Sequence, residues 1–133
     1  SKFLKIINDS KSTTLSSSAP FLKPNEKTYW ILGGLIKKGD KLNLKKKYLK
    51  SLNLFIFGKD RFKFLKLFKK KSKIELAENL EEILIMISKK IKKEKNKVTI
   101  LFSPAAASFD QFKNFEDRGE KFNSLTKKYL LNR

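Results

Sequence analysis

Three polar segments of this sequence combine hydroxyl, carboxylate, amide and lysine side chains, and each follows a short apolar run. They are residues 8–14 (NDSKSTT), residues 33–40, which contain Lys37, and residues 103–108 (SPAAAS). Hydroxyl and lysine groups donate hydrogen bonds to carboxylates and phosphates. If the apolar runs are neighbouring parallel strands, these segments lie at one edge of a sheet, where open α/β sheets bind ligands.

The pair Gly33-Gly34 is typical of a backbone that adopts positive φ angles or approaches a ligand closely, and a tight turn explains it equally well. Gly34 and Gly39 also have the spacing of a nucleotide-binding P-loop. A P-loop then requires Lys and Ser or Thr, whereas Asp40 and Lys41 follow here. Because the Asp40 carboxylate would repel phosphate, the sequence excludes a P-loop at this position.

The other two segments also have a structural explanation, in which they connect strands to helices. In residues 8–14, Ser or Thr hydroxyls can cap the N–H groups of a following helix. In residues 103–108, small side chains can pack a strand against a helix that Ser108 or Asp110 caps. Composition alone favours the structural explanation for both segments.

Compact apolar runs predict the strands that would position these segments. Residues 3–7, 29–32, 54–57 and 98–102 are typical of buried parallel strands, and residues 74–76 form a weaker candidate. Segments with helical periodicity alternate with these runs. The alternation indicates an α/β fold with an open sheet and right-handed crossovers.

Helical spacing predicts three apolar faces between and after the strands. Their members are Leu44, Tyr48, Leu49 and Leu52; then Leu80, Ile83, Leu84, Ile87 and Ile91; and finally Phe112, Phe115, Phe122, Leu125 and Tyr129. Residues 60–68 alternate partly like a strand, but Asp60 as an N-cap favours a helix. An irregular connection around a short helix is marked by two prolines and the serines at 16–18. The lysine runs at 69–73 and 89–97 are typical of solvated helix ends and loops.

The composition excludes several kinds of chemistry. The 133 residues suit one domain, and the sequence contains no cysteine and no histidine. Disulfides, the usual thiolate or imidazole metal sites, and Cys–His catalysis are therefore excluded. No apolar run approaches the ~20 residues of a membrane span, and the first residues do not resemble a signal peptide. We expect a cytoplasmic protein, and the start at Ser1 suggests a piece of a longer one.

The net charge of +19 admits two interpretations. Lysine and arginine displace counterions from phosphates, so a nucleic-acid-binding module is one of them. However, the lysines are scattered through every segment, and arginine, which reads base edges and grips phosphates, occurs only at Arg61, Arg118 and Arg133. This pattern favours lysines that fill solvent-facing positions, and it predicts no specific nucleic-acid partner. From the lack of a membrane-spanning apolar run we expect no membrane partner either.

Together, the polar segments resemble the third domain of the UDP-N-acetylmuramoyl-L-alanine:D-glutamate ligases (MurD), a branch of the Mur ligase family. Residues 103–119 read SPAAASFDQFKNFEDRG and resemble that family's closing motif without a gap. Residues 8–13 read NDSKST and are similar to its opening Asn-Asp-Ser-Lys-Ala-Thr, while Gly33-Gly34-x-x-Lys37 is similar to its middle motif. The resemblance spans nearly the whole chain, and the lysine-rich connections are the variable part.

The resemblance implies that residues 1–133 form a single carboxy-terminal domain with a Rossmann-like, three-layer α/β fold, an open and mostly parallel sheet flanked by helices. In such ligases ATP and Mg²⁺ activate a carboxylate of UDP-N-acetylmuramoyl-L-alanine, and the D-glutamate amine attacks the acyl phosphate during peptidoglycan biosynthesis. The third domain holds D-glutamate and closes over ATP bound to the central domain.

Matched by motif, the resemblance assigns D-glutamate binding to six positions: Lys11, Thr13, Lys37, Ser108 and the backbone around Phe109 and Phe115. Asp9 would face the nucleotide. A dicarboxylate needs cationic and hydroxyl donors that converge from separate loops, because charge-assisted hydrogen bonds are the strong ones. No catalytic residue and no metal ligand is assigned to this chain, so we expect it to be inactive, free of cofactor on its own, and monomeric.

The sequence departs from the family pattern in two mild ways and lacks parts of the whole enzyme. Ser12 replaces the usual Ala, and Phe109 replaces a frequent Leu. The uridine-nucleotide domain, the central P-loop domain, the Mg²⁺ ligands and an upstream nucleotide-contacting arginine are not in this sequence. Two alternatives stay open: the equivalent domain of another Mur or folylpolyglutamate ligase, which the match from Ser108 to Gly119 argues against, and a basic nucleic-acid-binding module.

Overall fold

A sheet of parallel strands organises the part of the chain that the computed structural model describes, which is residues 4–22, 26–40, 52–68 and 73–131. Its strands pair in the order β1-β5-β2-β3-β4, and every pairing is parallel. The bounds are Leu4–Asn8 for β1, Thr28–Gly33 for β2, Leu52–Phe57 for β3, Lys73–Leu76 for β4 and Val98–Phe102 for β5. Each predicted strand is confirmed within the described residues, including the weak candidate that became β4. Phe3, predicted as the first residue of β1, lies outside them.

One helix prediction is wrong at Leu52. This residue is the first of β3, where it pairs with Thr28 and is 1% exposed. Leu52 continues the apolar run towards Leu54, so helical spacing and strand alternation both fit it, and pairing with β2 decides for the strand. The other three members of that predicted helical face, Leu44, Tyr48 and Leu49, lie outside the described residues.

Helices cover both faces of the sheet. The helices are α1 (Leu15–Ser18), α2 (Arg61–Phe68), α3 (Leu80–Ile91) and α4 (Phe115–Thr126), with a 3-10 turn at Ala19–Phe21 and a π-helical turn at Lys127–Leu131. Leu15 of α1 and Phe64 of α2 join one buried cluster. The buried faces of α3 and α4 join the other cluster, in which the Phe122 ring stacks 4.3 Å from that of Phe102. The fold is therefore the expected three-layer, Rossmann-like α/β arrangement.

α3 forms as the sequence predicts because its start, its face and its end agree. The Asn79 side chain accepts a hydrogen bond from the Glu82 N–H at 2.9 Å, which caps the first turn. Glu81 and Glu82 in the first turn and lysines in the last turn complement the helix dipole. The predicted apolar face is buried: Leu80, Ile83, Leu84, Ile87 and Ile91.

α4 begins later than the sequence suggested. Its N-cap is Asn114, whose side chain accepts from the Asp117 N–H at 2.8 Å, so neither Ser108 nor Asp110 caps it. Ser108 instead starts a turn, in which its carbonyl accepts from the Phe112 N–H at 2.9 Å. Phe115, predicted on the buried face, is 43% exposed because it is the first residue of α4.

The strand order brings the polar segments together. β5 lies between β1 and β2, with Phe102 in register with Asn8 on one side and with Ile31 on the other. The segments that follow these three strands therefore leave the same edge side by side. No helix in the described part of the chain is long and apolar enough to cross a membrane.

Candidate functional site

The candidate site is the rim at the carboxyl edge of the sheet. It is built from the β1 loop (residues 9–14), the β2 loop (residues 34–40) and the β5 loop (residues 103–114). These loops correspond to the three polar segments of the sequence. Hydrogen bonds connect the β1 loop and the β2 loop to the β5 loop.

The β2 and β5 loops are joined backbone to backbone. Leu35 and Ala107 exchange two hydrogen bonds, at 3.0 Å and 2.9 Å, and the Gly33 N–H donates to the Pro104 carbonyl at 2.9 Å. Gly34 has a φ of 126°, and a Cβ added there would lie 2.3 Å from the Ala107 carbonyl oxygen. The glycine pair is therefore required by positive φ angles and close backbone approach.

The β1 and β5 loops are joined by side chains. The Asp9 carboxylate accepts from the Ser103 hydroxyl at 2.8 Å, and the Ser12 hydroxyl accepts from the Ala105 N–H at 3.1 Å. Ala105 has a φ of 58°, which is rare for a residue other than glycine. The Ser12 contact holds this left-handed residue in place at the centre of the rim.

Arg118 of α4 anchors the same two loops from below. It is 0% exposed, and its guanidinium donates to the Ala106 carbonyl at 2.7 Å, to the Ser12 carbonyl at 3.1 Å and to both the hydroxyl and the carbonyl of Ser10. Burial lowers the pKa of Arg118 to about 10, against the opposing attraction of Asp110 and a second carboxylate nearby. The side chain therefore stays charged at neutral pH.

The sequence interpretation missed the part played by Arg118. The feature of the sequence that could have indicated this role is the rarity of arginine, which stands at only three positions in a chain with 32 basic residues. A lysine cannot replace it here, because only a guanidinium offers several N–H donors in fixed directions.

The β3 loop (residues 58–60) holds the rim from the other side. The Asp60 N–H donates to the Gly34 carbonyl at 3.1 Å, and its carboxylate accepts from the Ile36 N–H at 2.8 Å. Lys59 donates its N–H to the Asp110 carboxylate at 2.9 Å. Asp60 precedes α2 as predicted, but its carboxylate fixes the β2 loop.

Asp40 has a structural role at the end of the β2 loop. Its carboxylate accepts from the Leu15 N–H, the first of α1, at 2.8 Å. The Thr14 side chain caps the same helix by accepting from the Ser17 N–H at 3.3 Å. The capping explanation for residues 8–14 is thus confirmed at Thr14.

The predicted donors stand on the loops of this rim. Lys11 and Thr13 are exposed on the β1 loop, and Lys37 is exposed on the β2 loop. Their side chains make no hydrogen bond or ion pair within the described residues. Asp9 is 5% exposed and Ser108, on the β5 loop, is 3% exposed.

Of the two predicted backbone positions, Phe109 lies within the β5 loop and Phe115 directly follows it. Phe109 follows Ser108 and its side chain is 70% exposed. Phe115 opens α4, and its carbonyl accepts from the Ser10 hydroxyl at 2.7 Å. The first N–H groups of a helix have no partner within the helix, so the start of α4 offers N–H donors beside the β1 loop.

The loop contacts bring the donors around one short stretch of backbone. Ser108 is adjacent to Ala107, which pairs with Leu35, two residues before Lys37. Thr13 is adjacent to Ser12, which bonds to Ala105. The loops that carry these hydroxyl and lysine donors thus meet at residues 105–108, and donors of these kinds can bind an anion with more than one carboxylate or phosphate group. Within the described residues, no group of acidic side chains could hold a metal ion.

Comparison with known proteins identifies relatives over nearly the whole chain. No family model matches it. A UDP-N-acetylmuramoylalanine–D-glutamate ligase from Wolbachia sp. subsp. Brugia malayi (strain TRS) is 36% identical over 122 residues, which are 92% of this chain and 24% of that protein. The enzyme of the same name from Buchnera aphidicola subsp. Schizaphis graminum (strain Sg) is 42% identical over 91% of this chain and 27% of its own length. The enzyme of the same name from Hydrogenobaculum sp. (strain Y04AAS1) is 35% identical over 96% of this chain and 30% of its own length.

The match to these relatives, together with the three-layer α/β fold, places the chain among the domains of the Mur ligase family. More particularly, the chain belongs to the UDP-N-acetylmuramoylalanine–D-glutamate ligase family. It spans about a quarter of the length of the relatives that it matches.

Proposed function

We propose that this chain is the carboxy-terminal substrate-binding domain of an ATP-dependent ligase that adds D-glutamate to UDP-N-acetylmuramoyl-L-alanine in peptidoglycan biosynthesis. The observation that carries the proposal is the set of unpaired lysine and hydroxyl donors around residues 105–108. The names of the relatives support the same substrates, and their length supports further domains, for the uridine nucleotide and for ATP, elsewhere in the parent protein.

D-Glutamate matches the chemistry of the rim. Lys37 supplies a positive charge for one carboxylate, and Thr13 and Ser108 supply hydroxyl donors from the two neighbouring loops. Lys11 adds a second charge, and the N–H groups near Phe109 and at the start of α4 supply neutral donors. Donors of both kinds from separate loops allow two carboxylates to bind at once, which a single lysine cannot achieve.

The nucleotide is assigned to the side of the rim that carries Asp9. ATP, with Mg²⁺ held by the rest of the parent protein, would phosphorylate the carboxylate of UDP-N-acetylmuramoyl-L-alanine to give the acyl phosphate, with ADP as the leaving group. The part of this chain is to bind and orient D-glutamate, so that its amine can attack, and to exclude water when the domain closes. We infer from this division of roles that the chain alone is inactive, and we propose in addition that it is monomeric and that the parent protein is cytoplasmic.

The test is a ligase assay on the parent protein that carries this domain. D-Glutamate should stimulate phosphate release in the presence of ATP and UDP-N-acetylmuramoyl-L-alanine, whereas L-glutamate, L-lysine and diaminopimelate should not. Preference for one of those amino acids would assign the domain to another Mur or folylpolyglutamate ligase. The chain alone, assayed in parallel, should release no phosphate, and turnover by it would contradict the assigned roles.

A further inference from the structure

A cluster of buried hydroxyls lies beneath the rim, between the β1 and β5 loops. Ser103 is 0% exposed, Ser18 is 0% exposed and Ser12 is 1% exposed. The Ser103 oxygen lies 2.5 Å from that of Ser18, which in turn lies 2.8 Å from that of Ser12. Asp9 is the one carboxylate that touches this cluster within the described residues, through Ser103 at 2.8 Å.

Ser103 is held on both sides of its backbone. Its N–H donates to the Ile31 carbonyl at 3.2 Å, and its carbonyl accepts from the Trp30 indole N–H at 2.7 Å. Both partners belong to β2 at the centre of the sheet. The Ser103 hydroxyl is therefore presented to Asp9 from a rigid position, unlike a hydroxyl on an exposed loop.

The contact selects one oxygen of the Asp9 carboxylate. An ionised carboxylate only accepts hydrogen bonds, so Ser103 must direct its single proton to Asp9 Oδ2. The Asp9 N–H donates to the Phe102 carbonyl at 2.7 Å, which fixes the backbone of the same residue. Asp9 Oδ1 has no hydrogen-bond partner within the described residues and is left to accept from a ligand.

We propose that Ser103 is a positioning residue, which orients the Asp9 carboxylate for its contact with the nucleotide in the closed ligase. The inference rests on the proposed function, in which Asp9 faces the nucleotide. Ser103 itself does not touch substrate. It acts by restricting the rotation of a carboxylate that would otherwise have to be ordered when the nucleotide binds.

The test is steady-state kinetics on the parent ligase with Ser103→Ala, Asp9→Asn and the double variant. Ser103→Ala removes a hydrogen bond to a charged group, so the KM for ATP should rise by about tenfold. The KM for D-glutamate should change by less than about twofold. In the Asp9→Asn background, Ser103→Ala should add little to the KM for ATP, because the carboxylate that it orients is gone.

The matched control is Ser18→Ala, which removes a hydroxyl of the same size from the same buried cluster without touching Asp9. Its KM for ATP should stay near that of the parent. An equal rise in Ser18→Ala would attribute the effect to cluster packing and overturn the role of Ser103. Ser103→Cys, which keeps nearly the same volume but is a weak donor, serves if the alanine variant does not fold, and it should raise the KM in the same direction.

The kinetics of Asp9→Asn and of Ser103→Ala test the role of Asp9 and the role of Ser103 separately. If Asp9→Asn leaves the KM for ATP unchanged, the nucleotide-facing role of Asp9 is wrong, and the inference about Ser103 falls with it. If Asp9→Asn raises that KM and Ser103→Ala does not, only the inference about Ser103 is overturned.

Discussion

Arg118 and Ser10 are 108 residues apart in the chain, yet the buried guanidinium of Arg118 donates to both the hydroxyl and the carbonyl of Ser10. The same guanidinium reaches the Ala106 carbonyl, so one side chain connects α4, the β1 loop and the β5 loop. The geometry of the rim therefore depends on a residue that lies beneath it and that no ligand needs to touch.

Replacement of Arg118 should destabilise the domain even when the charge is kept. In Arg118→Lys a single ammonium cannot serve acceptors on two loops, and each buried carbonyl left without a donor costs about 1–3 kcal/mol. We expect the free energy of unfolding to fall by roughly 2–5 kcal/mol in urea denaturation. Arg61→Lys, at a half-buried arginine that donates to the Gly58 carbonyl, is the matched control and should cost less than about 1 kcal/mol. Equal losses in the two variants would contradict the anchoring role of Arg118.

Replacement of Lys37 should weaken D-glutamate binding selectively in the parent ligase. Lys37→Ala removes a charge-assisted hydrogen bond worth roughly 1.5–3 kcal/mol, so the KM for D-glutamate should rise about ten- to hundredfold. The KM for ATP should change far less. Lys38→Ala removes the neighbouring exposed lysine and should leave both constants nearly unchanged. An unaltered KM for D-glutamate and unaltered turnover in Lys37→Ala would refute this site assignment.

Ser108→Ala should show the same selectivity with a smaller effect, because it removes a neutral donor worth about 0.5–1.5 kcal/mol. The domain should stay folded, since Ser108 lies on the β5 loop and belongs to neither apolar cluster. Kinetics with each substrate varied separately, together with a thermal unfolding curve, would measure both statements. A rise in the KM for ATP alone would show that Ser108 acts on the nucleotide and not on D-glutamate.

Gly34→Ala should destabilise the domain more than Gly39→Ala. Both glycines have positive φ angles, 126° and 78°, which cost an alanine about 1–2 kcal/mol. Only at Gly34 would the added methyl also collide with the Ala107 carbonyl, whereas at Gly39 it meets no atom within 4 Å. Chemical denaturation of both variants measures the difference in their free energies of unfolding. Similar losses of stability would show that the β2 and β5 loops can move apart at little cost.

The buried phenol of Tyr29 should make the fold less stable at high pH. Burial raises the pKa of Tyr29, and the hydrogen bond to Glu94 and the negative charge of Glu94 raise it further. A folded-state pKa above the unfolded value of about 10 stabilises the fold below pH 10 and loses this stabilisation as the pH rises towards the folded-state value. Stability should therefore fall above about pH 10, and Tyr29→Phe, which keeps the ring, should fall less steeply.

Glu94→Gln separates the negative charge of Glu94 from the other two causes of that shift. It removes the negative charge but leaves the phenol buried, so the pKa of Tyr29 should move part of the way back towards its ordinary value. The ultraviolet absorbance of tyrosinate, followed in alkaline titration as a difference from Tyr29→Phe, measures this change. An unchanged titration would assign the whole shift to burial and the hydrogen bond, and none of it to the charge.

Binding to DNA or RNA should be weak, independent of sequence and lost as salt rises. The net charge of +19 provides phosphate contacts, but exposed lysines alone supply no recognition of bases. Affinity measured by fluorescence anisotropy should fall by at least roughly tenfold between about 50 and 200 mM salt, with two unrelated oligonucleotides giving similar values. Tight binding to one sequence at physiological salt would support the nucleic-acid-binding module instead.

The strands, helix α3 and the family could be predicted from apolar patterns and motifs in the sequence. Apolar runs predicted every described strand, because a buried parallel strand leaves a contiguous signal. α3 was predicted with its whole buried face, because its cap, charges and periodicity agree. The order of the three motifs indicated the family, and the Gly33-Gly34 pair indicated a close backbone approach.

How these parts meet could not be predicted without the three-dimensional structure. The pairing of β5 between β1 and β2, the bonds from Arg118 to the β1 loop and the contact of Ser103 with Asp9 join residues far apart in the chain. Such contacts leave no periodic signal in the sequence, because each depends on a strand order that local propensity does not specify. For the same reason Leu52 was predicted in a helix, whereas its pairing with Thr28 of β2 puts it in a strand. The sequence likewise showed Asp40 only as a negative charge, whereas in the structure its carboxylate accepts from the Leu15 N–H.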